Sequence, residues 1–295
     1  MTTGNWRRYR GDGTTPPGAV PQTRGERGHY LADPELVTAV NTALAVEQPL
    51  LVTGQSGTGK TTLAWSIASE LGLGDVLEFH TRSDHQAQDV LFSFDNLRRF
   101  YHAQCGDKRA EDPANYITYQ PLGQAIRAAH QRVVLIDEID KAPRDFPNDL
   151  LDEIDRMGFT VPDTGERFDA ASRPVVVITS NSERQLPDPF LRRCVFHEIQ
   201  FPTPERLLQI LTERLGHLEL SETLATVATE RFLELRELSG LEKQPATGEL
   251  IVWVKVLRQA GVNADALKRV PISELPFPGA IVKTRHDRQV LARAT

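Results

Sequence analysis

Eight consecutive residues, Gly54-Gln55-Ser56-Gly57-Thr58-Gly59-Lys60-Thr61, constrain this chain more than any other stretch. They fit the pattern Gly-x-x-x-x-Gly-Lys-[Ser/Thr], whose glycines let a loop wrap until its backbone N–H groups converge on phosphate oxygens. Such a loop needs a strand before it and a helix after it, because the helix N-terminus adds its positive end to the same anion site. Pro49 and the apolar run Leu50-Leu51-Val52-Thr53 read as the strand, and Thr61 to Leu71 reads as the helix, closed by Gly72. In this arrangement Lys60 reaches the β- and γ-phosphates of a nucleotide and the Thr61 hydroxyl ligates Mg2+. Gly54 through Thr62 form the cradle.

The same alternation continues along the chain. Asp33-Pro34-Glu35 opens a helix over Leu36 to Leu44, with acids in its first turn. Val76 to Phe79, Val133 to Ile136 and Val175 to Ile178 are short apolar runs with helical segments between them. Continuous β-branched runs of this kind suit strands buried on both faces, and the β-α-β order implies a parallel sheet. Between Phe159 and Arg173, two alternating segments flank Asp163-Thr164-Gly165 and predict a hairpin. After Phe201-Pro202 the strands stop. Pro204 to Leu215, Glu222 to Leu238 and Gly248 to Gln259 carry apolar residues at helical spacing, which predicts a small all-helical domain.

Two further strand ends carry chemistry. Val133-Val134-Leu135-Ile136-Asp137-Glu138 delivers two carboxylates to the edge where the phosphate loop lies. Asp137 is placed to hold the Mg2+ shell, and Glu138 to polarise an attacking water as general base. Asp140 and Lys141, just beyond, read as a local charge pair. The strand Val175 to Ile178 ends in Thr179-Ser180-Asn181, where an amide can contact the γ-phosphate or orient the water. Guanine recognition by an Asn-Lys-x-Asp sequence is missing, which disfavours GTP. Arg192 and Arg193 come after a short helical turn.

Composition narrows the partners. Forty acidic residues against 34 basic ones give a net charge of −6, so a broad nucleic-acid surface is not expected. No apolar run approaches the ~20 residues that cross a bilayer, so membrane insertion is not expected. The N-terminal MTTGNWRRYRGDG lacks an apolar core, and a cytoplasmic setting is expected. The two cysteines, Cys105 and Cys194, argue against a disulfide framework or a cysteine-based zinc site. His80, Asp84, His85 and Asp89 read as surface or packing residues rather than metal ligands. Val90 to Tyr119, with Phe92, Phe94, Arg98, Arg99, Phe100 and Tyr101, reads as an amphipathic packing face. Residues 1–28, rich in Gly, Pro, Thr and Arg, read as a flexible arm whose Arg7, Arg8, Arg10, Arg24 and Arg27 are solvated.

From about His29 to Gln259 the chain resembles an AAA+ ATPase of the MoxR-like branch, through GQSGTGKT, VVLIDEID, FTVPDTGE, ITSN and LPDPFLRRC in this order. The resemblance implies an AAA+ P-loop core, α/β with a parallel sheet flanked by helices (residues 29–202), followed by a small all-α lid domain (203–262). Residues 263–295 are left as a tail of unknown structure. The resemblance also implies the sensor-1 role for Asn181 and an arginine finger at Arg193, with Arg192 as the fallback. Tyr30 and Leu31 fall where relatives line the adenine pocket. The arginine that opens the lid helix in many relatives is absent from residues 243–249, where Lys243 is the one available cation. In function, the resemblance implies an Mg2+-dependent ATPase that binds ATP, forms a homo-oligomeric, hexameric ring and remodels a partner protein. A von Willebrand A-domain adaptor or client would be a separate polypeptide. Two alternatives stand beside it: an ATP-gated scaffold with negligible turnover, and a nucleic-acid motor.

Overall fold

The structure, a computed structural model, describes residues 8–19, 30–181, 184–216 and 220–294. Its contacts divide the chain into two units, one of residues 1–54 and 59–199, the other of residues 55–58 and 200–295.

The first unit is built on five parallel strands: β1 (Leu50–Gly54), β2 (Leu77–His80), β5 (Val133–Asp137), β8 (Val175–Ser180) and β9 (Val195–Ile199). Their order across the sheet is β2-β5-β8-β1-β9. Successive residues of a strand point to opposite faces, so a continuous apolar run serves two cores at once. Leu50, Val52, Val133, Leu135 and Val177 face α1 (Pro34–Val46) and α2 (Lys60–Leu71). Leu51, Val134, Ile136, Val176 and Ile178 face the other way, towards α4 (Pro121–Arg127) and α5 (Phe146–Arg156). The predicted α/β fold, a parallel sheet flanked by helices, is therefore present. The register pairs Thr53 with Ser180 and Ile136 with Ile178. Gly54, Asp137 and Ser180 thus end their strands at one edge of the sheet, the edge where open α/β sheets bind ligands.

Two hairpins leave this core. β3 (Phe92–Phe94) pairs antiparallel with β4 (Ile117–Tyr119), and between them runs α3 (Asn96–Gln104). The expected packing face holds for Phe92 but not for α3, which buries none of its residues. Leu97, Phe100 and Tyr101 form an exposed stripe at 79%, 62% and 65% accessibility. The second hairpin, β6 (Gly158–Thr160) with β7 (Arg167–Asp169), pairs Phe159 with Phe168 where the turn residues predicted it. The Arg127 guanidinium lies 3.6 Å from the Tyr119 ring centre and 4.8 Å from that of Phe168, so it bridges the two hairpins. Phe92 stacks on Phe159 beside it, with ring centres 5.8 Å apart.

Residues 8–19 depart from the expected flexible arm. Tyr9 is fully buried, and Arg10, Gly11 and Gly13 donate their backbone N–H groups to Glu70 on α2. Arg8 and Arg10 themselves are exposed, while Arg7, Arg24 and Arg27 lie outside the described residues. The composition of the segment argued for disorder. One aromatic and a buried acid far along the chain overrule it.

The second unit is helical: α7 (Pro204–Leu215), α8 (Glu222–Arg236), α9 (Thr247–Gln259), α10 (Ala264–Arg269) and α11 (Arg285–Arg293). Between β8 and β9 of the first unit, α6 (Asp188–Leu191) is a single turn. The helical core gathers Leu207, Leu211, Phe232, Leu250 and Trp253, and also Leu267, Ile281 and Leu291. Residues 263–294 are therefore integral to this unit. Trp253 Nε1 donates to the Pro276 carbonyl at 2.7 Å, and Asp287, 1% exposed, accepts from the Glu242 N–H at 2.7 Å. Prolines in this stretch break helical periodicity without preventing burial.

Candidate nucleotide-binding site

The phosphate loop leaves β1 at Gly54 and enters α2 at Lys60. Gly59 caps α2 with φ +93°, a conformation that an L side chain rarely adopts. A Cβ there would also lie 2.8 Å from Cε2 of Tyr30, so Gly59 is required both by backbone geometry and by the ring packed against it. This places Tyr30 beside the loop, and Leu31 comes next, half-buried. Thr58 Oγ1 donates back to the Gln55 carbonyl at 2.8 Å, closing the turn. Ser56, Gly57 and Thr62 lie within the same loop and first helical turn.

Lys60 is 6% exposed and its Nζ donates to the Gly54 carbonyl at 2.7 Å. Burial pushes its ammonium below the ordinary lysine range, while the charges of Asp137, Asp140 and Glu138 act in the opposite sense. Burial alone disfavours this charge, and the three carboxylates around it offset part of that cost.

Across the strand edge the carboxylates are held by a hydroxyl. Thr179 Oγ1, fully buried, donates to Asp137 Oδ1 at 2.6 Å and accepts the Glu138 N–H at 2.9 Å. The Thr61 hydroxyl donates to the same Asp137 oxygen at 3.1 Å. A hydroxyl and a carboxylate oxygen this close form a hard oxygen donor pair that suits Mg2+. His80 Nδ1 lies 3.4 Å from the second Asp137 oxygen. Glu138 has φ +57° and ψ +52°, a left-handed conformation that costs a non-glycine residue about 1–3 kcal/mol and clusters at functional sites. That turn brings its carboxylate to Asn181, whose Nδ2 donates to Glu138 Oε1 at 3.2 Å.

Asp140 and Lys141 both join this network. Lys141 Nζ lies 2.5 Å from Glu138 Oε2. Asp140, 3% exposed, accepts the Asn181 N–H at 3.3 and 3.2 Å and so fixes the end of β8. Arg193 stands outside the cluster on the surface, 3.8 Å from Asp155, and Arg192 is exposed beside it. Of the four residues weighed as metal ligands, His80 contacts Asp137 while Asp89 caps a short turn through the Gln86 N–H.

In the second unit, Arg236 donates to Gln55 Oε1 at 3.1 Å and to the Pro245 carbonyl, and its guanidinium lies over the Phe201 ring. Burial pushes it below the ordinary arginine range. Sequence reading missed Arg236 and also Thr179. Register was the available signal for Thr179: once Ile178 pairs with Ile136, the next residues, Thr179 and Asp137, are neighbours.

The family model of the AAA domain (dynein-related subfamily) matches residues 49–194. Protein NorQ of Paracoccus denitrificans is 27% identical over 245 residues, which are 80% of this chain and 83% of that protein. The probable chaperone protein ClpB 1 of Chlorobaculum tepidum is 29% identical over 136 residues, 45% of this chain and 27% of that protein. Among solved structures, a mutant of Thermotoga maritima RuvB matches with a TM-score of 0.43 at 17% identity, covering 80% of this chain and 71% of the other. Residues 49–194 are an AAA domain of the dynein-related subfamily, MoxR-like in type.

Proposed function

We propose that this chain is an Mg2+-dependent ATPase of the cytoplasm, that it assembles with copies of itself into a hexameric ring, and that it uses hydrolysis to remodel a partner protein. The observation that carries this reading is the convergence of Thr61, Asp137, Glu138, Thr179 and Asn181 at one sheet edge beside a phosphate loop. Lys60 would hold the β- and γ-phosphates, and Thr61 with Asp137 would hold Mg2+. When bound, the ion neutralises charge on the phosphate oxygens. Glu138 takes a proton from water as the water oxygen bonds to the γ-phosphorus. The bond from that phosphorus to the bridging oxygen breaks, leaving ADP and inorganic phosphate. Asn181 keeps the Glu138 carboxylate and the water aligned. Tyr30 and Leu31 flank the adenine.

Arg193 acts in trans. Its exposure, and a single weak ion pair at 3.8 Å among the described residues, leave the guanidinium available to a neighbouring copy's γ-phosphate. Arg236, in contact with Gln55, is our candidate for the nucleotide-sensing cation that residues 243–249 lack. The exposed Leu97, Phe100 and Tyr101 stripe offers apolar surface for a client or a von Willebrand A-domain adaptor.

A low-turnover scaffold is the second reading, favoured by Lys141 sitting on Glu138. Phosphate release separates the two. Glu138→Gln should keep ATP affinity and lose turnover by about 10²–10⁴-fold, the range typical of a general base. Wild-type phosphate release no faster than the protein-free background supports the scaffold. Wild-type turnover in Glu138→Gln removes Glu138 from the reaction.

A further inference from the structure

We infer that Tyr9 to Gly13 form a strap that sets nucleotide affinity, and that Glu70 is the positioning residue through which it acts. The inference rests on the nucleotide site proposed above.

Glu70 lies on α2, 7% exposed, and its carboxylate accepts three hydrogen bonds from one short segment. The N–H groups of Arg10 and Gly11 reach Oε2 at 2.9 Å each, and that of Gly13 reaches Oε1 at 2.8 Å. A buried carboxylate satisfied by three backbone N–H donors is a strong, charge-assisted anchor. The strap is held at its other side by Tyr9. Its hydroxyl shares a 3.0 Å hydrogen bond with Ser66 Oγ, one helical turn before Glu70. Its N–H donates to Asn41 Oδ1 at 3.0 Å, and its carbonyl accepts from Asn41 Nδ2 at 2.8 Å. Asn41 belongs to α1, so the strap ties α1 to α2. Burial pushes the Tyr9 phenol above its ordinary range, which keeps it neutral and able to donate.

The strap also reaches the segment that flanks the phosphate loop. The Gly11 carbonyl accepts the Ala32 N–H at 3.1 Å. Gly11 has φ +73°, and a Cβ there would lie 2.5 Å from Ala32 Cβ and 2.8 Å from Val37 Cγ2. Two residues before Ala32 stands Tyr30, whose ring packs on Gly59. One short segment therefore fixes two walls of the site: α2, which carries the phosphate loop at its N-terminus, and the 30–32 stretch. Glu70 lies ten residues beyond Lys60, about 15 Å along the helix, so it cannot touch nucleotide and works through α2 and Ala32.

A strap that only stabilises the fold would lower the melting temperature and leave nucleotide affinity alone. The test is made on the full chain, well below its melting temperature, with ATP turnover and the Kd of a fluorescent ADP as readouts. Glu70→Gln perturbs the anchor, and Gly11→Ala perturbs the strap from its own side. Both should raise KM for ATP and the ADP Kd by about tenfold, equivalent to about 1.4 kcal/mol of binding, with kcat within about twofold. Leu122→Ala, a core cavity on the opposite face of the sheet, should lower the melting temperature with KM and Kd unmoved. If either strap variant fails to fold, Tyr9→Phe, which loses the Ser66 hydrogen bond alone, carries the test with a smaller rise in Kd. Unchanged KM and Kd in the strap variants, or a rise in Kd matched by Leu122→Ala, overturns the inference. Lys60→Ala separates the two failures. If it still binds ADP as the wild type does, the site is wrong; if it does not while the strap variants bind normally, the strap alone is wrong.

Discussion

Replacing Thr179 by Val removes one hydroxyl and leaves the side-chain volume almost unchanged. That hydroxyl makes two contacts, donating to Asp137 Oδ1 at 2.6 Å and accepting the Glu138 N–H at 2.9 Å. A hydrogen bond to a charged group contributes about 1.5–3 kcal/mol, and an orphaned donor costs about 1–3 kcal/mol more. Glu138 is only half-buried, so water can reach part of the freed N–H and the lower ends apply. The sum is about 2.5 kcal/mol. For a unit of this size that lowers the melting temperature by roughly 5–10 °C. The larger effect is on catalysis. Glu138 holds a left-handed conformation that its N–H helps to fix, and releasing it displaces the carboxylate from Asn181. A misplacement of about 1 Å is enough to lower kcat by about 10²-fold. Thr179→Ser keeps the hydroxyl and should retain most of both properties. Differential scanning fluorimetry and phosphate release measure the pair. A Val variant that melts and turns over like the wild type would refute the claim that this hydroxyl organises the carboxylates.

Lys60→Ala should abolish ATP binding while circular dichroism stays native, since the side chain serves ligand rather than core; micromolar ATP affinity in the folded variant would sink the phosphate-loop assignment. Arg193→Ala should spare nucleotide binding and, if Arg193 acts as an arginine finger, cut hydrolysis by about 10³–10⁵-fold. Mixing it with Glu138→Gln subunits should restore part of the activity, and co-assembled rings that stay inactive would speak against action in trans. Burial pushes the Cys194 thiol up to about 12, whereas Cys105 is exposed. At pH 8 a disulfide reagent should therefore modify one thiol per native chain, Cys105, and rapid labelling of both would contradict the burial.

The parts of the fold that sequence revealed are those whose signal is local. Val133 to Ile136 and Val175 to Ile178 are continuous runs because both faces of the sheet are covered, and the phosphate loop carries its own strand and helix. β9 was missed for the opposite reason. Its Val-Phe-His-Glu-Ile alternates and ends the sheet, and an edge strand tolerates the charge that hides it. Tyr9 is legible only to a reader who knows that Glu70, 61 residues later, will supply the acceptor for its neighbours. The exposed face of α3 has a buried helix's composition, and no periodicity distinguishes an apolar stripe that packs from one that does not. The second unit's last helices were obscured by prolines at 271, 276 and 278 that interrupt the pattern between them.

The Arg127 bridge gives the two hairpins a mechanical property that neither has alone. β3–β4 and β6–β7 leave the chain more than 60 residues apart, yet they share one packed base of Phe92, Tyr119, Phe159, Phe168 and the guanidinium. A load applied to the tip of either is borne by both. Helix α5 joins that base to the chemistry, starting eight residues past Glu138 and running directly into β6. Chain geometry thus connects the shared base of the two hairpins, through α5, to the end of the sheet where the carboxylates sit.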